Sequence, residues 1–274
     1  MIVDYHMHLR RPTEGHEEVE HTRAALERYV SKARERGVDE IGFTEHVYYF
    51  RQTREIWDLP YQLDRCRYDL DAYCDTVLEA RGEGFPVKLG LEVDYVGEQQ
   101  ELLSELIAGY PWDFLLGSVH WIDGVAVDQE PGLWGLHSVE EVWRRYVGAI
   151  AELAESGATD VLAHLDLAKI FGKRPEQGVL AELHEQLAET AARGGLAVEV
   201  STAGIRKPVG ELYPDPELLR ACSAREVPIT VASDAHVPAL VGEDFERALE
   251  LAHGAGYETV SVFDGRRRRQ EPLG

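Results

Sequence analysis

Short, almost continuously apolar runs alternate with longer amphipathic ones along the whole chain, and this alternation limits the fold more than any other feature. The short runs cover residues 2–6, 40–44, 87–93, 114–120, 160–164, 196–201, 228–233 and 258–263. They are β-branched or uniformly apolar and lack the polar–apolar alternation of a half-solvated sheet, as expected of parallel strands covered on both faces. Between them, residues 22–36, 64–81, 98–108, 138–156, 176–193, 216–225 and 243–253 repeat apolar positions every three to four residues and read as helices. Ser138 and Glu141 have the spacing of a capping box. Gly37, Gly82, Gly157, Gly194 and Gly254 each follow a helical run, where glycine is the cheapest left-handed cap. No linker or low-complexity stretch interrupts the pattern, so residues 1–274 read as one α/β domain. A dinucleotide-binding sheet would need a G-x-G-x-x-G after the first strand, and none is present. Chemically capable residues instead end almost every strand, which favours a closed TIM-like barrel over an open sheet with one switch point.

Charge and cysteine usage narrow the partners. Lys+Arg number 28 and Asp+Glu 50, so the net charge is 28 − 50 = −22. Such a surface repels phosphate backbones and anionic lipid, so neither nucleic acid nor membrane is an expected partner. The one basic run, Arg266–Arg269, falls in a C-terminal stretch of about residues 265–274 that reads as a solvated tail. No apolar run approaches the roughly 18 residues of a membrane helix, and Met1-Ile2-Val3-Asp4 shows no basic leader. Cys66, Cys74 and Cys222 are too few and scattered for a disulfide framework or a thiolate metal site. A cytoplasmic protein is expected. Nothing in the sequence sets an oligomeric state.

The histidines carry the chemistry. The first strand ends in Asp4-Tyr5-His6-Met7-His8, and residues two apart on a strand share a face, so His6 and His8 can grip one ion. The second strand ends in Thr44-Glu45-His46, the third carries Glu92-Val93-Asp94, the fourth ends in Ser118-Val119-His120, the fifth in His164-Leu165-Asp166 and the seventh in Ser233-Asp234-Ala235-His236. Burying so many unpaired ionisable groups at one end of six strands is expensive, and bound cations compensate their desolvation. A multinuclear metal site follows. Its ligands are nitrogen and oxygen only, which suits zinc, iron(II) or manganese(II).

These residues resemble the polymerase-and-histidinol-phosphatase (PHP) superfamily of metal-dependent phosphoesterases, from residue 2 to about residue 240. Gly42-Phe43-Thr44-Glu45-His46, Gly117-Ser118-Val119-His120-Trp121, His164-Leu165-Asp166-Leu167-Ala168-Lys169 and Ser201-Thr202-Ala203-Gly204-Ile205-Arg206-Lys207-Pro208 are most similar to PHP-type histidinol-phosphatases. The resemblance implies a distorted (β/α)7 barrel with two to three divalent transition metals at the C-terminal ends of its strands. One ion would take His6, His8, Glu92 and Asp234. A second would take Glu92, His120 and His164, and a third His46, His236 and a ligand from the loop after the first strand. Glu14, His16 and His21 compete for that last position. His21 is chosen because it sits at the N-cap edge of the first helix. The implied reaction is hydrolysis of L-histidinol phosphate to L-histidinol and phosphate, a step of histidine biosynthesis, by a hydroxide bridging two metals. Glu92, Asp234 and His236 are the candidate catalytic residues.

Arg206 matches the family's phosphate-gripping position, after the sixth strand, where barrel enzymes bind phosphate. Lys207 beside it and Lys169 after the fifth strand are further substrate-binding candidates, although Lys169 is equally readable as a solvated lysine. Asp94 and Asp166 can orient ligand histidines or cap the next helix. The aromatic and basic segment 48–54 suits a lid over an imidazole-bearing phosphate, or an ordinary packed loop. His137, His184 and His253 read as structural or surface residues. Three rival functions remain: a PHP phosphoesterase for another small ester such as a nucleotide or sugar phosphate, a polymerase-associated module, and an amidohydrolase-type barrel. The acidity and length oppose the second. In the third a lysine often bridges the metals, whereas here Glu92 holds that position.

Overall fold

The computed structural model describes residues 1–11 and 18–274. Seven parallel strands form one sheet in sequential order: β1 (Val3–Asp4), β2 (Glu40–Phe43), β3 (Val87–Asp94), β4 (Phe114–Ser118), β5 (Val161–Leu162), β6 (Ala197–Ser201) and β7 (Ile229–Ala232). The Tyr5 N–H donates to the Val231 carbonyl at 3.1 Å, the Ala235 N–H to His6 at 3.2 Å and the His8 N–H to Ala235 at 2.9 Å. These bonds bring β7 back to β1 and nearly close the barrel.

The outer helices are α1 (Arg23–Glu35), α2 (Leu70–Gly82), α3 (Gln100–Ile107), α4 (Val139–Glu155), α5 (Gln177–Gly194), α6 (Pro216–Ser223) and α7 (Phe245–Gly254). The capping box is formed: Ser138 accepts from the Glu141 N–H while Glu141 accepts from the Ser138 backbone. Thr22 caps α1 by accepting from the Ala25 N–H. The helix expected over 64–81 is two helices, Pro60–Arg65 and α2. Asp69 breaks it, because its carboxylate accepts the Asp71 and Ala72 N–H groups as an N-cap and also receives Arg51 and Gln52. Three of the glycine caps are displaced: α5 runs through Gly194 and ends on left-handed Gly195, and α2 and α7 run through Gly82 and Gly254.

The eighth expected strand is not a barrel stave. β8 (Thr259–Asp264) pairs antiparallel with β9 (Arg267–Pro272), so the stretch read as a solvated tail is a paired strand, although its arginines remain exposed. The hairpin lies across the N-terminal mouth. Arg266 pairs with Asp160 at 2.9 Å and Lys88 with Asp264 at 3.5 Å. The Phe263 ring meets Phe114 and Tyr5 inside the base, at centroid separations of 5.6 and 6.1 Å. Tyr5 in turn stacks on Phe114 at 4.9 Å. A Cβ on Gly42 would come within 2.6 Å of the Phe114 ring, and one on Gly90 within 2.8 Å, so these strand positions need glycine for the ring to fill the base. The lower barrel is thus packed solid. Its chemistry is confined to the C-terminal mouth.

Candidate metal centre

Each strand delivers its polar residue where the backbone leaves the sheet. His6 and His8 follow β1, alternate residues on one face, and both are fully buried. Glu92, near the end of β3, is the hub. Its Oε2 lies 3.5 Å from His6 Nε2, 3.8 Å from His8 Nε2 and 2.5 Å from His46 Nδ1. Its Oε1 lies 3.6 Å from His120 Nε2 and 3.3 Å from His164 Nε2. Asp234 Oδ1, after β7, is 3.3 Å from His8 Nε2, 3.6 Å from His6 Nε2 and 3.4 Å from His236 Nδ1. Three sets of ligand atoms lie within 4.8 Å of one another: His6, His8 and Asp234; His46, Glu92 and His120; and His8, His46 and His236. Seven of the nine residues read as ligands fall in these sets, and an eighth, His164, joins them through Glu92 Oε1. The sets cut across the expected grouping: His46 lies with both Glu92 and His236, His8 lies with His46 and His236 as well as with His6 and Asp234, and His164 falls in none of the three.

The ninth residue, His21, stands apart. It precedes the N-cap Thr22, and its Nε2 is 3.4 Å from Glu45 Oε1, with its ring among Phe50, Tyr68 and Tyr73. It belongs to none of the three sets. Glu14 and His16, its competitors, lie outside the described residues.

Carboxylates behind the imidazoles set their orientation. His6 Nδ1 is 2.7 Å from Glu199 Oε2, and His120 Nδ1 is 2.7 Å from Asp94 Oδ1. Each carboxylate takes the outer N–H and leaves Nε2 as the inward-facing lone pair. Asp94 thus has the orienting position expected of it. Asp166 does not: it accepts the Asp215 N–H at 2.7 Å and pairs with Lys169. Glu199 and Glu45 are further site carboxylates that strand-end spacing does not single out. Glu45 is fully buried and accepts from the Leu9 N–H at 2.6 Å and Arg10 at 3.1 Å, with His8 Nδ1 3.6 Å away. The available signal was a lone carboxylate inside an apolar strand, as in Ala197-Val198-Glu199-Val200-Ser201, where a buried charge demands a partner.

Two ligand candidates have backbone conformations that side chains rarely adopt: His164 at φ 27° and Asp234 at φ 51°. Such strain costs about 1–3 kcal/mol per residue and persists where the surroundings impose it. The electrostatics are equally divided. Burial pulls the His46 imidazole down to about 3 despite Glu92 beside it. Burial also opposes the charged form of His120, but Glu92 and Asp94 outweigh it and hold the ring at about 10. Burial thus wins at His46 while the carboxylates win at its neighbour His120, which leaves the crowded buried carboxylates with less positive charge than they demand.

Divalent metals fit that demand. Among the described residues, the buried His6 Nε2, His8 Nε2, His46 Nδ1 and Glu92 Oε2 face one another without well-aligned hydrogen bonds. An all-nitrogen-and-oxygen donor set of this kind suits zinc, iron(II) or manganese(II).

The expected substrate residues rim the same mouth unequally. Arg206 donates to the Ser233 carbonyl at 2.5 Å and lies 3.5 Å from Glu243. Lys207 is exposed. Lys169 is no solvated lysine: it is fully buried, 2.9 Å from Asp166, donating to the Leu212 carbonyl at 2.7 Å. In the segment 48–54, Tyr48 is buried against His46 and Arg51 pairs with Asp69, as in a packed loop. His184 is buried on α5, and His253 in the last turn of α7 meets the Tyr257 carbonyl.

The chain is similar to known proteins. Residues 4–203 match the PHP domain. The chain is 31% identical to a probable histidinol-phosphatase of Deinococcus radiodurans, over 97% of both chains, and 23% identical to a histidinol-phosphatase of Lactococcus lactis subsp. lactis, over 96% of this chain and 94% of that one. Among solved structures it is similar to the histidinol phosphate phosphatase of Lactococcus lactis subsp. lactis complexed with zinc, L-histidinol and phosphate, with a TM-score of 0.78, 22% identity and 98% of each chain covered. A solved chain from Listeria monocytogenes gives 0.75 at 18% identity, over 89% of this chain and 99% of that one. The barrel, its histidine-ringed mouth and an end-to-end relative at this identity have one reading: the chain belongs to the PHP domain family.

Proposed function

We propose that this chain is a phosphoric monoester hydrolase that converts L-histidinol phosphate and water to L-histidinol and phosphate. The observation that carries the reading is its end-to-end likeness to chains named histidinol-phosphatases, one of whose solved relatives holds zinc, L-histidinol and phosphate. His6, His8, His46, Glu92, His120, His164, Asp234 and His236 would hold two to three divalent metals, with His21 completing the set from the loop. Bound there, such ions would supply Lewis acidity and lower the pKa of water at the site, so that hydroxide becomes accessible near neutral pH.

The chain's own residues supply the rest. Glu199 and Asp94 hold His6 and His120 in one tautomer, so the donors need no reorganisation as charge develops. Arg206 and Lys207 offer cations to the phosphoryl oxygens, and Lys169 joins them or acts through the Leu212 loop it holds. Asp234 and His236, the more open of the cluster residues, would be the groups to move the leaving-group proton. A cytoplasmic location suits a biosynthetic phosphatase, and no described helix is long and apolar enough to cross a membrane.

A panel of phosphomonoesters, assayed after reconstitution with zinc, iron or manganese, tests the proposal. L-histidinol phosphate should give the highest kcat/KM, and chelation should abolish turnover. Faster hydrolysis of a nucleotide or sugar phosphate would assign the site to another ester.

A further inference from the structure

Behind the aromatic wall of the metal mouth lies a second cavity, of about 450 Å3. Trp57, Tyr95 and Trp121 give it aromatic faces, and Asp58, Glu98 and Gln62 give it polar ones. Tyr48 forms the partition. Its ring stacks on His46 at 4.9 Å on one side and meets Trp57 and Trp121 at 6.0 and 5.3 Å on the other.

No lysine or arginine lines the cavity, yet four carboxylates do. Two are committed: Asp123 pairs with Arg145 at 2.6 Å, and Glu152 accepts from the Tyr95 hydroxyl at 2.5 Å. Asp58 and Glu98 have no ion pair or hydrogen bond among the described residues. Gln62 is an independent signal. The residue is 3% exposed, and its Oε1 is buried without a hydrogen-bond partner among the described residues. A buried acceptor of this kind costs about 1–3 kcal/mol unless a donor reaches it.

We infer that this cavity is a binding site for a small organic cation bearing N–H donors, a protonated amine or an imidazolium. The indole and phenol faces attract a cation through their ring quadrupoles. Asp58 and Glu98 neutralise it, and Gln62 accepts one of its N–H groups. A bare divalent ion does not suit the cavity: no set of three metal-capable atoms forms here among the described residues, and aromatic faces offer such an ion no ligand. The site is separate from the metal centre and does not depend on the reaction assigned there.

The test uses the full metal-loaded chain with saturating inorganic phosphate. Benzylamine, protonated at neutral pH, is titrated by calorimetry against benzyl alcohol, its neutral match. Benzylamine should bind at least about tenfold more tightly than the alcohol. Asp58→Asn and Glu98→Gln, both at exposed positions that leave the fold intact, should each weaken it severalfold, and Gln62→Leu should do likewise, with metal content unchanged in all three. Equal binding of the alcohol, no benzylamine binding at millimolar concentration, or binding indifferent to all three substitutions would overturn the assignment. Because the readout is binding and not turnover, failure here is distinct from failure of the phosphatase reading.

Discussion

Asp4 takes two hydrogen bonds from Ser233, one from its backbone N–H at 2.8 Å and one from its hydroxyl at 2.6 Å, and a third from the Gly242 N–H at 2.9 Å. The first strand is thereby pinned to the end of the last, one residue before Asp234 adopts its left-handed conformation. Replacing Asp4 with Asn turns an amide N–H toward donors that have no other acceptor in the barrel. We expect Asp4→Asn to lower the stability of the metal-free protein by about 2–5 kcal/mol, read from urea unfolding. A change under about 0.5 kcal/mol, the size of an ordinary surface substitution, would show that the pin is dispensable.

Glu199 reaches the proposed metals through two ligand histidines: His6, whose Nδ1 lies 2.7 Å from Oε2, and His164, whose backbone N–H donates to Oε1 at 3.3 Å. Glu199→Gln keeps the shape but removes the charge that fixes the ring, and such outer carboxylates typically account for about 10- to 100-fold in metal affinity or activity. Competition with a coloured chelator should show a loss in that range with the fold intact by circular dichroism. Unaltered affinity would mean that His6 is oriented by packing alone.

His21 is expected to hold one metal from its position beside Glu45. His21→Ala should then lose about one metal equivalent of the two to three, measured by elemental analysis. If His21→Ala retains its full complement and Glu14→Ala loses metal, the loop ligand is Glu14.

Burial pushes the Cys74 and Cys222 thiols up to about 12, from an ordinary value near 9. A thiol raised in the folded state contributes stability that is complete below the unfolded value and lost as pH climbs through the folded one. The folded chain should therefore weaken between about pH 9 and 12, with Cys74→Ser flattening part of that limb. At pH 8 the native protein should react slowly with a disulfide reagent and yield three thiols only in denaturant. Rapid labelling of the native chain would contradict the burial.

The barrel and most of the metal mouth were legible because two simple rules coincide. Uniformly apolar runs report parallel strands, and imidazoles or carboxylates at their ends report a site that buries charge. The hairpin was not legible: Glu258–Phe263 has the same composition as a barrel stave, and its partner, an arginine run, looks like solvent-facing tail. Only its tertiary place, with Phe263 filling the base between Tyr5 and Phe114, separates it from the seven. The break before α2 was hidden because the apolar period continues through it, while Asp69 draws its reason from Arg51 and Gln52, seventeen or more residues away. His21 sits at the edge of α1, just before the N-cap Thr22, but no spacing rule shows that Glu45 is its immediate neighbour.

The hairpin also brings the ends of the chain together. The Met1 amino group donates to the Pro272 carbonyl at 2.6 Å and the Gly274 N–H to Met1 at 3.2 Å, both beneath the barrel floor. Any polypeptide joined to either end departs from the face opposite the metal mouth. Tethering through a terminus would therefore leave that mouth pointing away from the support, and a short peptide bridge could splice the two ends while a new opening is cut in an outer loop.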